Sequence, residues 1–150
     1  KITNIPFLDL DNCIEERAKK SINSIFEEHG EIYFRKLEHE MFLELLESSE
    51  NSIIGLGGGT PCYANNHELL KRDDVISIYL KASIETLYNR LVHNKSKRPL
   101  IANMNEEEMR EFIAKHLFDR SFYYNQAQNK VSVDDKTIEE TVEDILALLA

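Results

Sequence analysis

The segment "SIIGLGGGTPC", residues 52–62, joins an apolar run rich in β-branched residues to three consecutive glycines. The chain contains 5 glycines, and four of them, Gly55, Gly57, Gly58 and Gly59, lie within five positions. Because glycine lacks a Cβ, such a turn lets the backbone approach a ligand closely, although a flexible surface turn has the same composition. No G-K-[ST] follows the glycines, so this turn is not a phosphate-binding loop of the Walker type.

On both sides of this turn, apolar runs typical of strands alternate with segments of helical periodicity. Strands are predicted at residues 6–10, 51–56, 74–82 and 130–135. Helices are predicted at residues 21–29 (closed by Gly30), 31–47, 84–94 and 106–120, and after Thr137. This alternation predicts an α/β fold in which helices cover both faces of a parallel sheet. In such sheets ligands bind beyond the carboxyl ends of the strands.

Composition limits the class of protein. A chain of 150 residues fits a single domain, residues 1–150. Its formal charge of −9 argues against a general nucleic-acid binder but allows a small anion held by local cations. We see no signal peptide and no apolar run of the roughly 20 residues that a membrane span needs. Two widely separated cysteines predict a reduced, cytoplasmic protein.

Two aspartates follow the first predicted strand in the motif "DLD". In an extended strand, residues at i and i+2 point to the same side, so Asp9 and Asp11 are predicted to project together. One carboxylate would contact Mg²⁺, usually through water, while the other would accept a proton from a hydroxyl group. The alternative is structural: Asp11 caps a helix and Asp9 is solvated.

Arginines provide candidate anion sites. Arg35 and Glu38 stand at i and i+3 on a helix, where the guanidinium would bind a carboxylate or form an ordinary surface ion pair. Arg120 is predicted to end a helix, where the helix dipole alone would favour a cation. A basic cluster around residues 94–105 would bind a polyphosphate or remain solvated; it contains or adjoins Arg90, His93, Lys95, Lys97 and Arg98.

The motifs "DLD", "FRKLE", "GLGGGTP", "RPL" and "DRSFYYNQA", in this order and at these intervals, resemble shikimate kinase along nearly the whole chain. The resemblance implies a three-layer α/β/α fold of the P-loop NTPase type with five parallel strands. It implies transfer of the γ-phosphoryl group of ATP to the 3-hydroxyl of shikimate, with Mg²⁺, on the route to chorismate and aromatic amino acids. It further implies a cytoplasmic monomer that binds neither nucleic acid nor membranes.

The resemblance also implies which residues contact the substrate. Asp11 would bind the shikimate hydroxyls and act as the catalytic base, within a substrate-binding region of about residues 11–40. Arg35 and Arg120 would clamp the shikimate carboxylate. The remaining implied contacts are Gly57, Gly58 and Gly59 against the ring, and Phe26, Phe34 and Glu38 in the pocket wall.

A second set of residues is implied for ATP and the metal. Arg98 would reach the phosphates from a lid at about residues 94–105 and take part in catalysis. Arg90 would lie beside adenine, and Asp9 would face Mg²⁺, through water.

The chain departs from the family pattern in two places. The G-x-x-x-x-G-K-[ST] loop and the first strand do not occur in it, so we expect roughly 20 to 25 further residues upstream of Lys1. Gly55 replaces a Ser or Thr that relatives often carry. Two alternatives therefore stay open: a related small-molecule kinase, such as a gluconate-kinase-like enzyme, and a module that binds shikimate without turnover.

Overall fold

A computed structural model of the chain describes residues 2–94 and 100–150. The chain divides into two compact units, Lys1–Asn66 and His67–Ala150. The strands are β1 (Phe7–Asp9), β2 (Ile53–Gly55), β3 (Ile78–Lys81) and β4 (Asn129–Ser132). The helices are α1 (Leu10–Ala18), α2 (Ile22–Glu47), α3 (Asn66–Leu69), α4 (Ile84–Val92), α5 (Glu106–Tyr124) and α6 (Ile138–Leu149).

The first unit is built on a parallel pair of strands and two packed helices. β1 pairs with β2 so that Phe7 lies opposite Ile53 and Asp9 opposite Gly55. Helix α1 packs against α2 through side chains that are almost fully buried: Leu10, Ile14, Ile25, Phe34, Met41 and Phe42. Both strands therefore end beside the segment that carries the glycine turn.

Helix α2 contains a break at Gly30, where the sequence predicts a helix end. Its backbone there has φ 84° and ψ 176°, a conformation open essentially to glycine alone. Phe26 and Phe34 flank the break, with ring centroids 4.7 Å apart. The two rings therefore contact each other across the break. The predicted helices 21–29 and 31–47 are thus confirmed as two halves of one kinked element.

The sequence did not predict helix α1, and this changes the geometry of the "DLD" motif. β1 ends at Asp9, whose side chain caps α1 by accepting the backbone N–H of Asn12 at 3.2 Å. Asp11 lies in the first turn of α1. The prediction that strand alternation points both carboxylates the same way is therefore wrong. Aspartate favours a helix N-terminus both as a cap and as an anion near the positive end of the dipole.

The second unit is built on the parallel pair β3 and β4, with Ile78 opposite Asn129. The helix caps predicted from the sequence are confirmed: Ser83 caps α4, and Asn105 and Thr137 form capping boxes for α5 and α6. The unit's most buried apolar side chains are Leu70, Ile101, Met109, Ile113, Val131 and Val133.

Helix α5 is longer than predicted. It continues to Tyr124, so the prediction that Arg120 ends the helix is wrong. The aromatic run that follows Arg120 lies on the helix and packs: Tyr124 contacts the ring of Tyr79 with a centroid separation of 5.2 Å. The dipole argument for a cation at Arg120 loses its basis, because this effect is confined to the last turn.

The four predicted strands are all present and both pairs are parallel, which confirms the α/β prediction. The single-domain boundary stays a prediction. Among residues 2–94 and 100–150, no helix combines the length and apolar character needed to cross a membrane. Arg98 and part of the predicted lid lie outside the described residues.

Candidate functional site

The glycine turn leads from β2 into a short 3₁₀ turn, Thr60–Cys62. The backbone N–H of Thr60 donates to the carbonyl of Gly57 at 3.1 Å, and that of Cys62 donates to the carbonyl of Gly59 at 3.0 Å. All 5 glycines lie within the described residues, and only Gly30 has a positive φ. Left-handed backbone geometry therefore does not explain the glycines of this turn.

Close packing explains Gly59, where an added Cβ would collide with a neighbouring side chain. A Cβ on Gly57 would lie 3.4 Å from Oγ1 of Thr60 and 3.6 Å from each carboxylate oxygen of Asp11. A Cβ on Gly59 would lie 2.8 Å from both Nη1 and Nη2 of Arg35. The Arg35 guanidinium therefore occupies the space that a side chain at position 59 would need, whereas the distances at Gly57 are those of ordinary van der Waals contact.

Arg35 is held on three sides within the first unit. Its Nη1 donates to Oε1 of Glu38 at 3.0 Å, and its guanidinium lies over the ring of Tyr63, 4.0 Å from the centroid. Phe34 contributes a second ring at 5.2 Å. The Arg35 side chain is 18% exposed and that of Glu38 only 2%, so this pair is not a solvated surface ion pair. A planar guanidinium fixed in this way is preorganised to bind a carboxylate.

Glu38 is a buried carboxylate whose two oxygens both have partners. Oε1 accepts from Arg35, and Oε2 accepts from Oγ1 of Thr60 at 2.9 Å. Burying a charge is tolerable only when it is paired and hydrogen-bonded, and both conditions hold here. Glu38 therefore links helix α2 to the residue that follows the glycines.

Asp11 is half-buried at the start of α1 and faces Gly57. Burial raises the pKa of the Asp11 carboxyl above its ordinary value, and the nearby carboxylates of Asp9 and Glu38 add to that shift, while Arg35 opposes it. A raised pKa makes Asp11 a better proton acceptor than an ordinary aspartate.

The assignment of Asp9 to a Mg²⁺ site through water stays a prediction. Its Oδ1 caps α1, its charge helps to raise the pKa of the Asp11 carboxyl, and hard oxygen donors are the ligands that Mg²⁺ prefers. Within residues 2–94 and 100–150, no group of three or more His, Cys, Asp or Glu is arranged to hold a metal ion.

A surface cavity of about 540 Å³ adjoins this cluster. It follows one face of α2 and includes Arg35, His39 and Tyr63 in its lining. Neither Asp11 nor a glycine of the turn lines it. We therefore place the candidate site by the chemistry of the Asp11, Arg35 and glycine cluster, and not by the cavity.

In the second unit, Arg120 is half-buried and lines a cavity of about 270 Å³. Its Nη1 donates to the hydroxyl of Tyr124 at 3.3 Å. Tyr79 lines the same cavity, and burial raises the pKa of its phenol. Arg120 is thus a partly buried cation on a cavity wall, as a ligand-binding arginine would be.

Arg90 is exposed in the last turn of α4. Hydrogen bonds from the backbone of Ser83 and the side chain of Thr86 are the main causes that lower the pKa of the Asp134 carboxyl. The positive charge of Arg90 lowers this pKa further, by a smaller amount. Arg98, for which the family resemblance implies a contact with the phosphates, lies outside the described residues.

Three residues of the first-unit cluster were missed by sequence reasoning. Thr60 and Asn66 are fully buried, and Tyr63 stacks on Arg35. Thr60 directly follows the glycines, so its position and its hydroxyl group could have marked it as a candidate residue of the site. Nothing in the local pattern distinguishes Tyr63 or Asn66 from ordinary loop residues.

Comparison with known proteins gives one consistent result. Residues 1–150 match the family model described as "Shikimate kinase". A shikimate kinase of Flavobacterium johnsoniae is 82% identical over 150 residues, which is 100% of this chain and 87% of that protein. A shikimate kinase of Flavobacterium psychrophilum is 54% identical over 149 residues, covering 99% of this chain and 87% of that protein.

Solved structures agree with the sequence comparisons. A crystal structure of shikimate kinase from Bacteroides thetaiotaomicron is similar with a TM-score of 0.87 at 36% identity, covering 99% of this chain and 85% of that one. Shikimate kinase from Acinetobacter baumannii in complex with shikimate is similar with a TM-score of 0.82 at 28% identity, covering 99% and 80% of the two chains.

Proposed function

This chain belongs to the shikimate kinase family, and we propose that it transfers the γ-phosphoryl group of ATP to the 3-hydroxyl of shikimate. The reaction gives shikimate 3-phosphate and ADP, on the route to chorismate and aromatic amino acids. The observation that carries the proposal is the packing of the Asp11 carboxylate and the Arg35 guanidinium against one glycine turn. A base and a carboxylate-binding group thereby border the same stretch of bare backbone.

In this proposal Arg35 binds the carboxylate of shikimate. Glu38 accepts from Nη1 and orients the planar fork, whose other N–H groups can then serve a ligand. Arg120 supplies the second guanidinium of the clamp. Phe26 and Phe34 form an apolar wall for the ring, and the backbone of Gly57, Gly58 and Gly59 lies against its other side.

Asp11 accepts the proton of the 3-hydroxyl as the oxygen attacks phosphorus. Its raised pKa, caused mainly by burial, supports this role. Phosphoryl transfer depends chiefly on positioning and on neutralising charge, so the fixed arrangement of Asp11 and Arg35 supplies the first requirement.

ATP and the metal complete the proposed reaction. Asp9 would hold Mg²⁺ through water, and the ion would neutralise negative charge on the transferred phosphoryl group. Arg98 would contact the phosphates from the lid of residues 94–105, and Arg90 would lie beside adenine. The formal charge of −9 supports the absence of a general nucleic-acid partner. The family resemblance is the basis for proposing a cytoplasmic monomer without membrane partners.

An acceptor panel tests the proposal. The purified protein is incubated with ATP, Mg²⁺ and shikimate, gluconate or a nucleoside monophosphate, and ADP release is measured while ³¹P NMR identifies the product. We expect shikimate 3-phosphate alone. Consumption of gluconate or a nucleotide with shikimate inert would identify a different kinase, and shikimate binding without ADP release would identify a binding module.

A matched pair of variants links turnover to the site. Arg35→Lys keeps the charge but removes the planar fork, so we expect the KM for shikimate to rise roughly tenfold or more. Arg17→Lys makes the same change at an exposed guanidinium paired with Glu44, and should leave that KM unchanged. Equal KM values for the two variants would contradict the role of Arg35.

A further inference from the structure

We propose that Thr60 and Asn66 are positioning residues that fix the Arg35 guanidinium for shikimate through a buried chain of hydrogen bonds. Neither residue need touch the substrate. The inference rests on the proposed function, because it concerns how the same site is held in its binding geometry.

The first link is Thr60 to Glu38. Thr60 is fully buried, and its Oγ1 donates to Oε2 of Glu38 at 2.9 Å. The other oxygen of that carboxylate accepts from Arg35 at 3.0 Å. Because the two oxygens are fixed relative to each other, the hydroxyl of Thr60 determines where Glu38 presents Oε1, and hence where it holds Nη1 of Arg35.

The second link fixes Thr60 itself. Nδ2 of Asn66 donates to the carbonyl of Thr60 at 3.0 Å, and Asn66 is fully buried. This bond sets the orientation of the amide, since only its nitrogen can donate. Oδ1 of Asn66 must then be the atom that faces Nδ1 of His39 at 2.5 Å, so His39 carries its proton on Nδ1 and donates.

Together these bonds close a ring between helix α2 and the segment after the glycines. Glu38 and His39 are adjacent on the helix, and each is tied to the 60–66 segment by a separate bond. Such a ring resists sliding of one element along the other. The inference is that the ring keeps the guanidinium packed against Gly59, where a Cβ would have no space.

Loss of the Thr60 hydroxyl leaves Oε2 of Glu38 buried without its donor. A buried carboxylate oxygen that lacks a partner is unfavourable, so Glu38 is expected to turn and to take up further N–H groups of Arg35. Those N–H groups are then lost to the substrate carboxylate. Shikimate binding should weaken, while the phosphoryl-transfer step, which depends on Asp11, should change little.

The test compares Thr60→Val, which keeps the shape and removes the hydroxyl, with Thr60→Ser, which keeps the hydroxyl. We expect Thr60→Val to raise both the shikimate KM and the calorimetric Kd for shikimate about three- to tenfold, with kcat and the KM for ATP unchanged. Thr60→Ser should restore values near wild type. Thr141→Val is the control, because the Thr141 hydroxyl donates to the backbone carbonyl of Thr137, within helix α6 and its cap.

Asn66→Asp provides an independent test of the same hydrogen-bond chain if Thr60→Val folds poorly. It keeps the acceptor for His39 but removes the donor to the Thr60 carbonyl, so shikimate affinity should fall in the same direction. Wild-type shikimate affinity in folded Thr60→Val and Asn66→Asp would overturn the inference, and so would a fall in kcat without a change in KM. Failure of the wild-type protein to phosphorylate shikimate would count against the proposed function alone, since the calorimetric comparison still tests the ring.

Discussion

A Cβ built on Gly59 lies 2.8 Å from each terminal nitrogen of Arg35, closer than real Cβ atoms approach other heavy atoms. The guanidinium therefore occupies the volume that any other residue at position 59 would need. Glu38 and Tyr63 hold the guanidinium in that volume, by a hydrogen bond and by stacking. The position of the Arg35 guanidinium thus depends on the absence of a side chain at Gly59.

Gly59→Ala is expected to displace the guanidinium without unfolding the protein, because the clash falls on the far end of a long side chain. We expect the KM for shikimate to rise about tenfold or more through the misplaced carboxylate contact, with little change in Tm. Steady-state kinetics with shikimate as the varied substrate measure the effect.

Gly55→Ala is the matched control for this change. Its Cβ would lie 3.0 Å from Cζ of Phe7, a ring that is 64% exposed and free to move outward. We expect a wild-type KM for shikimate. An equal rise in KM in Gly55→Ala and Gly59→Ala would show that the effect comes from general distortion of the loop.

Asp11→Asn is expected to reduce kcat by on the order of 10²- to 10⁴-fold, since the amide cannot accept the proton of the hydroxyl. The KM for shikimate should change less, because the amide still makes hydrogen bonds. Asp73→Asn, an exposed aspartate of the second unit, is the control. A kcat near wild type in Asp11→Asn would rule out Asp11 as the base.

The same variant has a predicted effect on stability. The folded-state pKa of Asp11 is raised, so its contribution to stability is fully present below its ordinary pKa of 3.8 and is lost as pH rises through the higher folded value. Asparagine does not titrate. The Tm of Asp11→Asn relative to wild type should therefore increase from pH values below 3.8 to neutral pH, as thermal melts across that range would show.

The sequence predicted the strands and the helix caps better than it predicted the geometry of the charged residues. Alternation and capping signals depend on neighbours in the chain, so Ser83, Asn105 and Thr137 were placed correctly. The "DLD" motif was placed on a strand because a short apolar run gives no sign of where it ends. The strand stops at Asp9 because that side chain caps a helix.

The packing around Arg35 could not be predicted from local pattern. An arginine and a glutamate at i and i+3 most often form a solvated pair, and only tertiary contacts show otherwise. Tyr63 and Thr60 lie more than 20 positions from Arg35 and Glu38 along the chain, yet they contact those residues directly. Similarly, the sequence gives no sign that the Arg35 guanidinium, and not a ligand alone, lies against Gly59.

Arg120→Ala is expected to raise the KM for shikimate by up to about a hundredfold through loss of a charge-assisted contact, with kcat less affected. Tyr124→Phe removes the phenol hydroxyl that accepts from Arg120 and leaves the guanidinium in place. A small rise in KM in Tyr124→Phe beside a large one in Arg120→Ala would support a direct contact with substrate. An unchanged KM in Arg120→Ala would leave Arg120 with a structural role only.

Gly30→Ala tests the kink of helix α2. Nothing lies within 4 Å of the added Cβ, so the entire effect arises from forcing alanine into φ 84° and ψ 176°. We expect a loss of about 1–3 kcal/mol in the free energy of unfolding, measured by urea denaturation. Glu27→Ala, at an exposed position of the same helix, should change stability little. Alanine could instead straighten the helix, which would break the Phe26–Phe34 contact and increase the helical content. Unchanged stability together with a stronger helical circular dichroism signal would therefore contradict the need for glycine at this position.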